Sequence, residues 1–256
     1  MEDKKNGAPA LARGLKILEI LAGADAELPF SSLKQESKIP APSLWRLLHV
    51  LRDNGYVIYD PERHTYRLGY KFLYMGNILL DRMGSRSEAR NHLRKLVGLT
   101  GETAEFSGRL RDELVLLDQE ESPQAVRLFS RIGSTYPYFH ATAPGKVYLA
   151  QMPAEKLESV IERIGLPSIT EFTVTDFDAL EKELRKIRAQ GYAIDNQEMR
   201  LEVFRVAAPV FDGSGRIVGC LGVAGPSFRL DRDKAKSMAR DVKTVAGELT
   251  REVSQR

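Results

Sequence analysis

Trp45 and Arg46 lie three or four residues before His49, and Arg52 three after it, so on a helix they crowd onto one face. Indole, imidazole and two guanidinium groups side by side suit contacts with phosphates and base edges. Lys38, Pro42 and Ser43 lead into that face, and Arg63 follows on a downstream turn. A second candidate is Arg205, which shares a strand face with Val203. A guanidinium directed into a domain either holds a carboxylate through two parallel hydrogen bonds or pairs with a neighbour such as Asp195 or Glu202. A third candidate is catalytic: Cys220 as nucleophile beside His140, or Asp195 and Glu198 as paired carboxylates. Cys220 sits in the apolar run IVGCLGV, where a cysteine reads as a small core residue, and His140 reads as a structural hydrogen-bonding residue in its loop. His49, His64, His92 and His140 lack metal-ligand spacing, so no metal and no cofactor are expected. Gly145-Lys146 lacks the earlier glycine and the following hydroxyl of a phosphate loop.

The elements that must position the first set are written around it. Leu44, Leu47, Leu48 and Leu51 recur at i, i+3, i+4 and i+7, an apolar stripe opposite the polar face. Pro42 suits a first helical turn, and Asn54-Gly55 supplies a left-handed stop. Upstream, Leu15, Leu18 and Leu21 with Ile17 and Ile20 predict a first helix. Phe30 to Gln35 predicts a short second helix opening on serines able to cap it, and only Glu36 to Ala41 separates it from the third. Downstream, Val57 and Tyr59, then Tyr66 and Leu68, alternate about a DPERH turn and predict a hairpin. The leucine stripe alone fits an ordinary core helix. The order of short helix, helix and hairpin is what points to a winged DNA reader.

Charge adds little, because the chain carries only +3 and its first seventy residues hold ten Lys/Arg against nine Asp/Glu. A strongly basic domain is excluded, and phosphate attraction rests on local placement of Lys38, Arg46, Arg52, Arg63 and Arg67, doubled when two copies bind side by side. A length of 256 residues with 43% apolar content fills two cores. The opening MEDKKNGAPALARG lacks the apolar run of a signal peptide, no stretch approaches bilayer length, and the single cysteine allows no internal disulfide. The expectation is a cytoplasmic protein with no membrane partner.

Lys71 to Leu80 is apolar at helical spacing through Phe72, Met75 and Leu79, and DRMGSRSEAR then breaks the pattern. The expected division is therefore a head over 8–70, a linker helix and hinge over 71–88, and a second domain over 89–256. In the second domain the patterns predict strands over 103–110, 113–119 and 125–131, then helices over 144–151, 153–164 and 176–190. Strands over 192–196, 203–211 and 217–224 follow, and a closing helix covers 231–253. An antiparallel sheet with helices on its faces is an α+β sandwich, the architecture of many small-molecule sensor domains.

The segments LARGLKILEIL, IPAPSLWRLLHVLRDNGYV and YRLGYKFLYMG, followed in order by GETAEF, HATAPGKVYLA, GYAIDNQE and RVAAPVFDGSGRIVGCLGVAGP, resemble IclR-family transcriptional regulators nearly end to end. The resemblance implies an α+β protein: an N-terminal winged helix-turn-helix domain, a linker helix and a C-terminal GAF-like α/β effector-binding domain. It implies double-stranded operator DNA as partner, bound by a homodimer or dimer of dimers, and no catalysis. Carried over residue by residue, it places a small-molecule effector at Ala143 and Pro144, Asp195, Val203 and Arg205, and Gly222 and Ala224, with Val126 and Phe129 as an apolar wall. Ala143-Pro144-Gly145 opens a predicted helix, where free N–H groups favour an anion. With Arg205 and small walls, that points to a small organic acid, aromatic carboxylates included, whose binding shifts the linker helix and alters the spacing of two DNA-reading heads. Two departures stand out: Lys38 and Glu202 occupy positions where the family usually has glycine.

Overall fold

The computed structural model describes residues 7–82, 84–110, 113–136, 138–230 and 232–255. The chain divides into two compact units, Met1–Arg82 and Met83–Arg256.

In the first unit, helices α1 (Pro9–Gly23), α2 (Phe30–Ser37) and α3 (Ala41–Asp53) are followed by the hairpin β2 (Val57–Asp60) and β3 (Thr65–Leu68). A two-residue strand, β1 (Leu28–Pro29), adds to β3, so the sheet runs β1-β3-β2. Ile17, Leu21, Leu33, Ile39, Leu44, Leu48 and Val57 form the core beneath it. The leucine stripe of α3 thus does bury, which orients its opposite face outward. Leu15, by contrast, is half-exposed, because α1 packs through Gly14, Ile17 and Leu21. The serines expected to cap α2 lie inside its first turn; Pro29 is the N-cap and supplies no side-chain bond. Helix α2 ends on Lys38 at φ 56°, the left-handed conformation that glycine adopts without penalty. Helix α4 (Lys71–Arg82) closes the unit, its first turn packing Phe72 edge-on against Tyr56.

The second unit opens with α5 (Gly84–Thr100), so the stretch expected as a hinge is helical from Gly84 onward; Met83 lies outside the described residues. Six antiparallel strands make one sheet of order β6-β5-β4-β9-β8-β7, with β4 (Thr103–Leu110), β5 (Glu113–Glu120), β6 (Thr135–Tyr136), β7 (Ala193–Asn196), β8 (Val203–Phe211) and β9 (Ile217–Pro226). The strand expected over 125–131 does not form: that segment is irregular, and β5 instead pairs with Thr135–Tyr136. Helix α5 and the closing α9 (Arg232–Ser254) cover one sheet face through Leu93, Leu96, Val242, Val245 and Leu249. On the other face lie α6 (Ala143–Ala150), α7 (Ala154–Ile164) and α8 (Phe177–Gln190), packed through Val147, Leu149, Leu157, Leu180 and Leu184. No helix among the described residues is long and apolar enough to cross a membrane.

Candidate functional site

Two sites follow, one in each unit. On α3, burying Leu44 and Leu48 leaves Pro42, Trp45, Arg46 and Val50 exposed, with Ser43 and His49 partly so. The Trp45 and His49 rings lie 4.3 Å apart, and Arg52 Nη2 stands 2.9 Å from His49 Nε2, making a tryptophan–histidine–arginine ladder along the helix. Arg52 also pairs with Asp53 at 3.3 Å, while Arg46 Nε donates to the Pro42 carbonyl at 3.3 Å. Across from the ladder, Tyr59 and Tyr66 of the hairpin complete a hollow of about 170 Å³. The hairpin turn is built by Asp60, whose Oδ1 accepts the N–H groups of Glu62 and Arg63; those two bonds hold its carboxyl below the usual range. Arg63 is thereby presented at the exposed turn, and Lys38 is exposed at the end of α2. Arg67 is committed elsewhere, in an ion pair with Glu27 at 3.2 Å.

In the second unit, register brings Asp195, Arg205 and Ala224 abreast across β7, β8 and β9. Arg205 Nε lies 3.5 Å from Glu105 of β4, and its Nη1 lies 3.8 Å from Asp195. Sequence reading anticipated Asp195 as a partner and missed Glu105, which sits on the charged face only because β9 separates β4 from β8. Burial opposes the charge on Arg205, but the two carboxylates outweigh it and the guanidinium stays protonated. Burial pushes the Asp195 carboxyl up against the pull of Arg205. Asp195 Oδ1 accepts the N–H groups of Glu198 and Met199, which folds the chain after β7 back over the sheet.

Beside this cluster lies a second buried one. Lys146, on the first turns of α6, is fully buried and donates to Glu183 of α8 at 2.8 Å and to Glu198 at 2.6 Å. Desolvation raises Glu198 to about 7, the attraction of Lys146 notwithstanding. His140 is buried with Nε2 against the Pro167 carbonyl, and desolvation lowers its pKa. It does not meet Cys220, whose thiol faces the Pro144 carbonyl and is pushed up by burial. Asp195 and Glu198 are likewise taken up by Arg205 and Lys146. Neither arrangement is that of an activated nucleophile or a free acid–base pair.

Two cavities converge on Arg205. An outer cleft of about 840 Å³ is lined by Val126, Phe129, Arg131, Arg200, Val203 and Arg205 among others. An inner cavity of about 30 Å³ is lined by Glu105, Ser107, Leu114, Leu116, Tyr136, Thr142, Pro144, Met199 and Arg205. Val126 and Phe129 thus border the open cleft, and Pro144 the inner cavity, while Ala143, Gly222, Ala224 and Asp195 line neither. Gly222 is small for a backbone reason: a Cβ there would come within 2.5 Å of the Val206 carbonyl oxygen. The helix start at Ala143 also differs from expectation. Pro144 has no N–H and Thr142 Oγ1 already accepts that of Gly145, so the free donors an anion would need are reduced. No cluster of His, Cys, Asp and Glu among the described residues could hold a metal.

Residues 78–251 match the pattern described as Bacterial transcriptional regulator IclR C-terminal, and residues 10–61 match the IclR helix-turn-helix domain. The chain belongs to the IclR family. It is 31% identical to the HTH-type transcriptional repressor AllR of Klebsiella pneumoniae over 98% of this chain and 89% of that one. The IclR of Thermotoga maritima is 28% identical and superposes with a TM-score of 0.81 over 95% of this chain and 98% of that one. An IclR homologue of Microbacterium hydrocarbonoxydans, complexed with 4-hydroxybenzoate, shares the fold at 20% identity and a TM-score of 0.79, over 95% of this chain and 99% of that one. As an IclR-family member the chain is a ligand-responsive, DNA-binding transcriptional regulator and not an enzyme. Lys38 and Glu202, the two positions where the resemblance implied glycine, adopt left-handed φ of 56° and 62°.

Proposed function

We propose that this regulator reads double-stranded operator DNA through the exposed face of α3, with Arg46, Trp45, Ser43 and His49 at base edges. Lys38, Pro42, Arg52 and Arg63 then lie toward the backbone. We assign 8–70 to the reading head, 71–88 to the linker and 89–256 to effector binding, in a cytoplasmic homodimer or dimer of dimers. The exposed apolar residues Phe72, Leu73, Met75 and Leu79 of α4 support association, since a monomer would leave them in water. Arg46→Ala should weaken operator binding by about 1–3 kcal/mol in a gel shift at fixed salt with an unchanged circular dichroism spectrum; an unaltered affinity would remove Arg46 from the interface.

The effector is a small organic acid bound at the Arg205 cleft. The observation that carries this reading is that both cavities meet at the buried guanidinium of Arg205. A third carboxylate there is tolerable because burial already disfavours the charged form of Asp195. Thermal-shift screening of small acids, 4-hydroxybenzoate included, tests it: stabilisation should vanish in Arg205→Lys, which keeps the charge but loses the fork. Equal stabilisation by acids and their neutral amides would overturn the anchor.

A further inference from the structure

Tyr136, Met199 and Arg205 each line both the outer cleft and the inner cavity, so these three side chains are the wall between the two spaces. The wall matters because the spaces differ so much in size. The cavity of about 30 Å³ holds a water molecule or two, not an aromatic ring.

The three residues are held differently. Arg205 is tied to Glu105 and Asp195. Tyr136 pairs with Leu114 in the sheet, and its hydroxyl donates to Ser130 at 3.2 Å. Met199 has a fixed backbone and, among the described residues, no hydrogen bond to its side chain. Its N–H donates to Asp195, the preceding Glu198 is gripped by Lys146, and Thr170 and Thr173 donate to the carbonyls of Gln197 and Glu198 at 2.7 Å. Left-handed residues at Gln197 and Glu202, φ 65° and 62°, bend the strap at both ends. An unbranched thioether with three rotatable bonds on such a fixed strap adapts to what it touches without moving the backbone.

We propose that Met199 is the size-selecting residue of the effector site, an inference that rests on the Arg205 cleft being that site. With its side chain in place, the inner cavity takes only the end of a short aliphatic acid; without it, cavity and cleft become one chamber that admits a ring.

A ligand-free measurement tests the wall by itself. Cys220, the only cysteine, faces the Pro144 carbonyl at 3.7 Å and pairs with Ser107 across the sheet, and both of those residues line the inner cavity. In Met199→Ala, labelling of Cys220 by methyl methanethiosulfonate should speed up by about tenfold, because reagent in the inner cavity then needs only a small local opening past Ser107 and Pro144 to reach the thiol. Met199→Leu should label like the wild type, and both variants should keep a cooperative melt. Equal rates in Met199→Ala and wild type would overturn the proposal. A second arm uses propionate and 4-hydroxybenzoate in thermal shift: propionate should stabilise the wild type more, and 4-hydroxybenzoate the Met199→Ala variant more. The same preference in both proteins would also overturn it. If labelling accelerates while neither acid stabilises either protein, the wall stands and the organic-acid reading of the cleft falls.

Discussion

The two faces of the six-stranded sheet are built from the same strands and could hardly differ more. Toward α5 and α9, Phe106, Phe204, Val206, Ala208, Val210, Leu221 and Val223 make an unbroken apolar layer. Toward α6 and α8, alternate residues of those strands bring in Glu105, Asp195 and Arg205, joined by Lys146, Glu183 and Glu198. Two cations face four carboxylates. The first face needs only shape and volume, because hydrophobic burial is non-directional. The second needs a partner for every group, and desolvation cancels much of what each pair gains. Such a surplus of carboxylate is costly in a structural core and also opposes an acid ligand, and the raised carboxyls of Asp195 and Glu198 are what lessen both costs.

The largest effects should come from damaging each face in turn. Phe106→Ala should cost about 3–5 kcal/mol in urea denaturation at any pH between 5 and 8, since a cavity in an apolar layer does not titrate. Lys146→Ala should cost a similar amount, about 3–5 kcal/mol, at pH 8, where the buried Glu198 either stays charged without its cation or takes up a proton at a cost. At pH 5 the cost should shrink as Glu198 takes up a proton. A pH-independent loss in Lys146→Ala would erase the distinction between the faces.

A smaller effect follows from Glu198, whose carboxyl is raised from 4.5 to about 7 in the folded protein. The native state then binds its proton more tightly than the unfolded chain. Its contribution is therefore complete below pH 4.5 and is lost as pH rises toward 7. His140, lowered by burial, acts in the opposite sense, gaining stability as pH rises toward its ordinary 6.5. The informative measurement is the difference between wild type and Glu198→Gln: the variant should lose the decline between pH 4.5 and 7 and keep the histidine's rise. Identical profiles would place the titration elsewhere.

The smallest effect concerns backbone strain, at Glu202 beside the charged face and at Lys38 in the other unit. Lys38→Gly and Glu202→Gly should each raise stability by up to about 1 kcal/mol, relief of left-handed strain being partly offset by glycine's freedom in the unfolded chain. A loss at either position would mean that glycine's freedom in the unfolded chain outweighs the strain relieved.

What the sequence determined by itself was everything with a local period. The stripe of Leu44, Leu47, Leu48 and Leu51, the alternation about the DPERH turn and the strands from Thr103, Val203 and Ile217 depend on residues a few positions apart, and each formed within a residue or two of its predicted bounds. Exposure of the Trp45–Arg46 face follows from burial of the opposite one. Where competition between elements mattered, local pattern was not enough. The run 125–131 reads as a strand but finds no partner because Thr135–Tyr136 takes the β5 edge. Serines that could cap α2 are carried past the cap by a helix that starts at Phe30.

The ligand region was decided by tertiary structure. Arg205 and Asp195 could be named in advance, but Glu105 joins them only through the order β4-β9-β8-β7, from a position 100 residues away. Lys146, which follows Gly145 in no phosphate-loop pattern, carries no sequence sign that it is buried between carboxylates from α8 and the strap after β7. Met199 carries no chemical signal in the sequence; its place in the wall comes from Asp195 capping the turn that bears it. Periodicity records which way a side chain points from its own element. Which distant group it meets there is set by strand order and register, and a single sequence does not spell those out.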